Sequence, residues 1–166
     1  MALVNEVVFA ASGLTETDPL VAALTVREDI FAATEAAHDA SLTPTDPGGI
    51  SHAERAALAV RIARQNEAET LVSHYRALFE TAGAPAEIAP LADPAFTGGD
   101  DKRLTAILAY MDQVAVTPRE ATAEEITAMQ AAGVADADIV RLAELNAFLA
   151  YQIRLVAGLS LLRGAA

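Results

Sequence analysis

The chain has 166 residues, and 11 Lys plus Arg stand against 23 Asp plus Glu, a formal charge of −12. That length suits one domain with its own core, and 53% of residues from the AVILMFWYC set exclude a disordered chain. The acidic balance without a basic cluster excludes a phosphate-backbone binder, and zero Cys excludes disulfides, thiolate metal sites, iron–sulfur clusters and a cysteine nucleophile.

Ala fills 39 positions, Arg outnumbers Lys ten to one, and aromatics are 5%. Strong helix formers with few β-branched or aromatic residues predict an all-α fold, a single domain of six to eight helices. The Ala and Arg bias also matches a GC-rich bacterial genome. The N-terminus lacks a basic segment before its apolar run, so no targeting signal is expected and the cytoplasm is the expected location.

In chain order, residues 1–48 read as an interrupted helical extension. Asp18-Pro19 can open a helix with Pro at its first position, and Leu20, Ala23, Leu24, Ile30 and Phe31 give a loose apolar stripe. Ser41 to Gly49, with two Pro and two Gly, reads as a loop. Ser51 with Glu54 is a capping box opening a helix over 51–64, with Arg55, Arg61 and Arg64 at its polar positions. Asn66 with Glu69 reads as a second cap pair, and Leu71, Val72, Tyr75, Leu78 and Phe79 follow at helical spacing over 67–82. Gly83 and Pro85 stop that helix. The short connection predicts a helical hairpin.

Pro90 to Asp100 is a second loop. Asp100 or Asp101 caps a helix carrying Leu104, Ile107, Leu108, Met111 and Val114, closed by Pro118. Thr122 with Glu125 is a third capping box. Asp136 caps a last helix over 137–162. Its apolar run holds Asn146, Gln152 and Arg154 near the middle, which argues for a buried helix and against a membrane span. Residues 52–63 echo 136–147 at four positions, three of them Ala, so the repeat is weak.

Few groups carry chemistry. Glu35-x-x-His38 has the spacing of a di-iron ligand pair, but no second such motif exists, so a solvated helix face is expected and no metal. His38, His52 and His74 show no ligand spacing. Ser73 and His74 are neighbours pointing about 100° apart on a helix, which rules out a nucleophile–base pair between them. His74 borders the apolar stripe of its helix, where it can act as a general base or pack as a half-exposed ring. Glu144 and Asn146 interrupt an apolar helix. A buried carboxylate there needs a partner or a proton; alternatively Arg141, three residues earlier, is its surface partner.

The run Ile50-Ser51-His52-Ala53-Glu54-Arg55-Ala56-Ala57-Leu58-Ala59-Val60, continued through Asn66 to His74-Tyr75, resembles the core of the alkylhydroperoxidase-D-like and carboxymuconolactone decarboxylase family. Its pattern there is L-S-x-x-E-R-E-x-x-A-L-A-V, an Asn near a C-x-x-C, then His. Residues 135–159 resemble the family's last helix, and the N-terminal extension fits its peroxidase-related branch. The resemblance implies that fold, with 50–83 and 136–162 as core helices, and a homo-oligomer. It places the family's relay Glu at Ala56, its two cysteines at Ala68 and Leu71, and its relay His at Tyr75. None of the peroxide-reducing set is present, and Ala and Leu cannot replace thiols. The expectation is a family-like protein without thiol peroxidase activity or a cofactor, binding a small molecule in a residual pocket. One alternative is a thiol-independent decarboxylase or isomerase using His74, Glu144 and Arg154. Another is a structural or interaction protein. The pocket is expected between the 67–82 and 137–162 helices, lined by His74, Tyr75, Glu144 and Tyr151.

Overall fold

The computed structural model describes residues 6–165; the first five residues of the N-terminal extension lie outside them. The described chain is all-α, with no strand. Its eight α-helices are α1 (Val7–Ala11), α2 (Val21–Thr25), α3 (Glu28–Leu42), α4 (His52–Gln65), α5 (Glu69–Thr81), α6 (Lys102–Val116), α7 (Ala123–Ala131) and α8 (Asp136–Ala165).

The cap chemistry sets most boundaries. Ser51 and Glu54 close a reciprocal box at α4, as do Thr122 and Glu125 at α7, and Asp101 accepts from the Leu104 amide at α6. Each satisfies amides that have no intrahelical partner. Other boundaries differ from the sequence reading. Asp18 bonds the Leu20 amide in a turn, and α2 starts only at Val21. α3 runs through Leu42, so the first loop is shorter than expected. Asn66 ends α4, donating to the Ile62 carbonyl, and α5 starts at Glu69, preceded by Ala68, which offers no side-chain cap. Asp136 accepts from Gln130 across the turn rather than capping α8.

α4 is the central helix. It packs on α5 in the expected hairpin and also touches α3, α6 and α8. α8 lies against α3, α4 and α6, while α1 bridges α5 and α8. The core includes Leu58, Ile62, Leu71, Tyr75, Met111, Leu142, Leu145 and Leu149. By length and composition alone α8 could cross a membrane. In this fold Asn146 and Gln152, near its middle, are both 0% exposed, and Asn146 donates to the Met111 carbonyl of α6 at 2.9 Å.

The largest departure from expectation is on α4. Arg55 and Arg61 are 2% and 1% exposed, not surface residues. Arg55 donates to the carbonyls of Ser41, Pro47 and Ile50, pinning the α3–α4 loop. Arg61 grips Asp112 of α6 with two bonds of 2.6 Å and donates to the carbonyls of Asp93, Pro94 and Phe96. Arg61 tolerates such burial because its five donors are all met in a fixed fork. The second loop is thereby tied to the core. Gly98 lets it press on α6: its φ is +101°, and a Cβ there would fall 2.5 Å from the Thr105 nitrogen.

Candidate functional site

The chemistry-bearing side chains gather where α1, α3, α5 and α8 meet. α3 presents Thr34, Glu35, His38 and Asp39, and α5 presents His74 and Tyr75. His38 is buried, and its Nε2 meets His74 Nε2 at 2.9 Å. The ring centroids are 5.1 Å apart, close to the widest spacing that such a nitrogen contact allows. The two nitrogens therefore point at each other and share a proton. Phe148 of α8 packs edge-on against His38.

The opposite edge of His38 fixes the direction of that bond. Its Nδ1 lies 3.0 Å from Asp39 Oδ1, and a carboxylate can only accept. With one proton on each ring, His38 carries it on Nδ1, leaving a bare Nε2 that accepts from His74. His74 then keeps a lone pair on Nδ1, which has no partner among the described residues. Burial, and after it the neighbouring His38, lowers the His74 pKa from 6.5 to about 4. The ring is neutral at pH 7, as a hydrogen-bond acceptor or base must be. His74 lines a groove of about 300 Å3 with Val7, Ala10, Ala11, Thr70 and Ser73.

Deeper in the fold, Tyr75 is fully buried and donates a hydrogen bond to Gln152 Oε1. Burial pushes its phenol pKa upward. Gln152 Nε2 is left without a partner among the described residues. Glu6, at the start of α1, is 6% exposed. Its Oε2 has no partner either. Its pKa is raised, first by burial and then by Glu35 and Glu28. Glu35 itself accepts from the Val7 amide at 3.2 Å.

The expected pocket group does not assemble. His74 and Tyr75 stand on α5 as expected, but α3 comes between them and the outer face of α8. Tyr151 is 43% exposed and bonds Thr34 of α3 at 2.9 Å. Glu144 is exposed and has no side-chain hydrogen-bond partner among the described residues. The reading of it as Arg141's surface partner fails too, since Arg141 pairs with Asp138 and Asp46. Glu144 and Tyr151 do share one face of α8, but it is the outer face. Arg154 is exposed and bonds its own helix at the Ala150 carbonyl. A groove of about 280 Å3 does lie between the start of α5 and α8, lined by Ala68, Thr70, Ile153, Val156 and others, and it contains none of the four expected residues.

The positions that the family resemblance assigns to catalysis are mostly packing positions. Ala56 is 2% exposed, and Leu71 and Tyr75 are 0% exposed. Ala68 lines the groove between α5 and α8, and Ala56 lines a separate small cavity of about 100 Å3 with His52 and Leu78. His38 is the functional candidate the sequence reading passed over. The Glu35-x-x-His38 spacing was the available signal, but the partner histidine lies 36 residues away.

No protein-family model and no curated protein matches this chain. Among solved structures, its fold is similar to that of an uncharacterized peroxidase-related protein from Silicibacter sp. TM1040. The TM-score is 0.66 at 18% sequence identity, over 77% of this chain and 66% of that one. This chain thus spans slightly less than two thirds of that protein's length. Similarity at this level establishes a shared helical fold and leaves activity to be argued from the site.

Proposed function

We propose that this protein is a cysteine-free variant of the alkylhydroperoxidase-D-like fold that binds a small, neutral, hydrogen-bond-donating molecule in the groove between α1 and α5. The observation that carries this reading is His74, held through Nε2 by His38 on the wall of a groove; the tautomer assigned from the Asp39 contact makes its Nδ1 an acceptor. Val7, Ala10 and Ala11 supply apolar contact, and the hydroxyls of Thr70 and Ser73 add polar contacts. The groove's volume lies at the lower end of small-molecule sites. Glu6, Glu35 and the net charge of −12 disfavour an anion. A phenol, enol or alcohol suits both the acceptor and the field. Peroxide reduction through thiols is excluded by the absence of cysteine.

A second reading, proton abstraction by His74, is favoured by its neutrality and by the Asp39–His38 chain behind it. That chemistry also needs a group to stabilise the developing anion. Arg154, the expected candidate, is exposed and bonded to its own helix, so binding without turnover is the better-supported function.

Amide NMR spectra recorded with a panel of phenols, alcohols, lactones and carboxylic acids test this. Neutral donors should shift residues of α1 and of α5 around Thr70–His74, and His74→Phe should remove the response. Shifts located elsewhere, or a response that His74→Phe leaves intact, refute the proposal.

A further inference from the structure

On the other side of His38 we propose a binding site for a divalent transition-metal ion such as Zn2+ or Mn2+, formed by Glu35, His38 and Asp39, with the buried carboxylate of Glu6 as a neighbouring charge. Glu35, His38 and Asp39 each offer one ligand atom, and these atoms lie within 4.8 Å of one another. An ion roughly 2.0–2.4 Å from each donor fits that spread. The residues sit at i, i+3 and i+4 along α3 and so share one face. One imidazole with carboxylates is a donor set suited to zinc or manganese.

Glu6 is the independent observation. It is buried, and its Oε2 has no partner among the described residues. It is linked to the cluster through the chain: the next amide, Val7, is bonded to Glu35 Oε2, and after burial the charge of Glu35 raises its pKa most. Neither Glu6 nor Glu35 takes part in an ion pair among the described residues, whereas the carboxylates of Asp112, Glu54 and Asp138 each face an Arg. A carboxylate removed from water and placed near a second one requires a proton or a cation. Separate structural roles account for Glu35, as a cap on α1, and for Asp39, as a surface residue. They leave the buried oxygen of Glu6 unexplained.

His38 is prepared for ligation. A metal-bound imidazole donates through its second nitrogen to a fixed acceptor, which orients the ring. His74 Nε2 is in that position. Binding at His38 Nδ1 would displace the proton now shared with Asp39 and place one on Nε2. His74 must then accept there and carry its own proton on Nδ1. The ion thus reverses the hydrogen-bonding sense of the groove wall, an outcome that rests on the function proposed above. The metal site itself does not.

Calorimetric titration of chelator-treated protein with ZnCl2 at neutral pH tests the site. One ion per chain is expected. His38→Ala and Glu35→Gln should each weaken binding by about tenfold or more, and Glu6→Gln should weaken it less. His52→Ala should leave it unchanged, because His52 bonds the Pro44 carbonyl away from the cluster. Mn2+-induced broadening of amide signals in the unmodified protein gives a readout that does not depend on variants folding, and it should centre on α1 and α3. Absence of zinc uptake, uptake undiminished in folded His38→Ala, or broadening centred elsewhere overturns the proposal. Ligand binding in the α1–α5 groove can fail without affecting any of these results.

Discussion

Two buried polar regions of this molecule differ in how their charged groups are met. Around α4, Arg61 and Arg55 are deeply buried, and each is matched to a carboxylate or to loop carbonyls. Around α1, α3, α5 and α8 the inventory closes less well: Glu6 Oε2 and Gln152 Nε2 are buried without a partner among the described residues, and His74 Nδ1 on the groove wall has none either. Near α4, by contrast, the open atoms are the neutral amide oxygens of Gln65, beside Asp112, and Asn146. Satisfied buried polar groups hold a fold together. Unsatisfied ones cost stability unless something else completes them. The first region is therefore read as structural and the second as the place where a ligand belongs.

The largest effect should come from breaking the satisfied region. Arg61→Leu strands three loop carbonyls and the Asp112 carboxylate, and should lower the unfolding free energy by roughly 3–5 kcal/mol. Urea denaturation measures it. A loss below about 1 kcal/mol would mean that water readily replaces the guanidinium and that the contrast between the regions is false.

The unsatisfied region should respond with the opposite sign. Glu6→Gln removes a buried charge that lacks a partner, so at neutral pH and without metal it should stabilise the protein by on the order of 1 kcal/mol. The Glu6 pKa is raised on folding, so the folded state binds its proton more readily. The parent's deficit is therefore present at neutral pH and disappears below the unfolded pKa of 4.5. The advantage of Glu6→Gln should vanish there too. If it persists at acid pH, charge is not its origin.

His74 gives a smaller effect, visible as a slope. Its pKa falls from 6.5 to about 4 on folding, so between those values the unfolded chain binds more protons. Stability from this group is full above pH 6.5 and is lost as pH falls towards 4. Glu6 acts in the opposite direction over part of that range, so the observable is the difference between parent and His74→Gln. The variant should lose less stability on acidification. Equal slopes would show that His74 titrates as an ordinary exposed histidine, and the neutral acceptor proposed for the groove would have no basis.

The legibility of the sequence divides along the same line as the two regions. Helix starts that rest on local hydrogen bonds, such as Ser51 with Glu54 and Thr122 with Glu125, could be read because cap and partner are three residues apart. The burial of Arg61 could not, because it depends on carbonyls more than thirty residues away that the sequence does not mark. The His38–His74 and Tyr75–Gln152 pairs span 36 and 77 positions. Spacing along one helix showed that Glu144 and Tyr151 share a face but not which way it points. Leu142, Leu145, Asn146, Leu149 and Gln152 take the inner side of α8; the apolar stripe thus marks the buried side, and Glu144 and Tyr151 lie off it.

The smallest expected effect is the most informative about ancestry of the site. Placing cysteines at the positions that the family resemblance assigns to its C-x-x-C, as Ala68→Cys with Leu71→Cys, should not create dithiol-dependent peroxidase activity. Leu71 is 0% exposed within the apolar core, where burial raises a thiol pKa and suppresses the thiolate that would attack peroxide. Ala68 lies on a groove rim, but no carboxylate stands at Ala56 to move a proton. Tyr75, where the relay histidine would be, holds its own proton more tightly because it is buried. Turnover of an organic hydroperoxide with a dithiol reductant should stay at the level of the parent chain, which has no thiol. Activity that scales with the double variant would mean that the scaffold keeps a working peroxide site between α5 and α8. The His38–His74 cluster would then be a packing feature beside it, and the contrast between a structural and a functional polar region would have to be withdrawn.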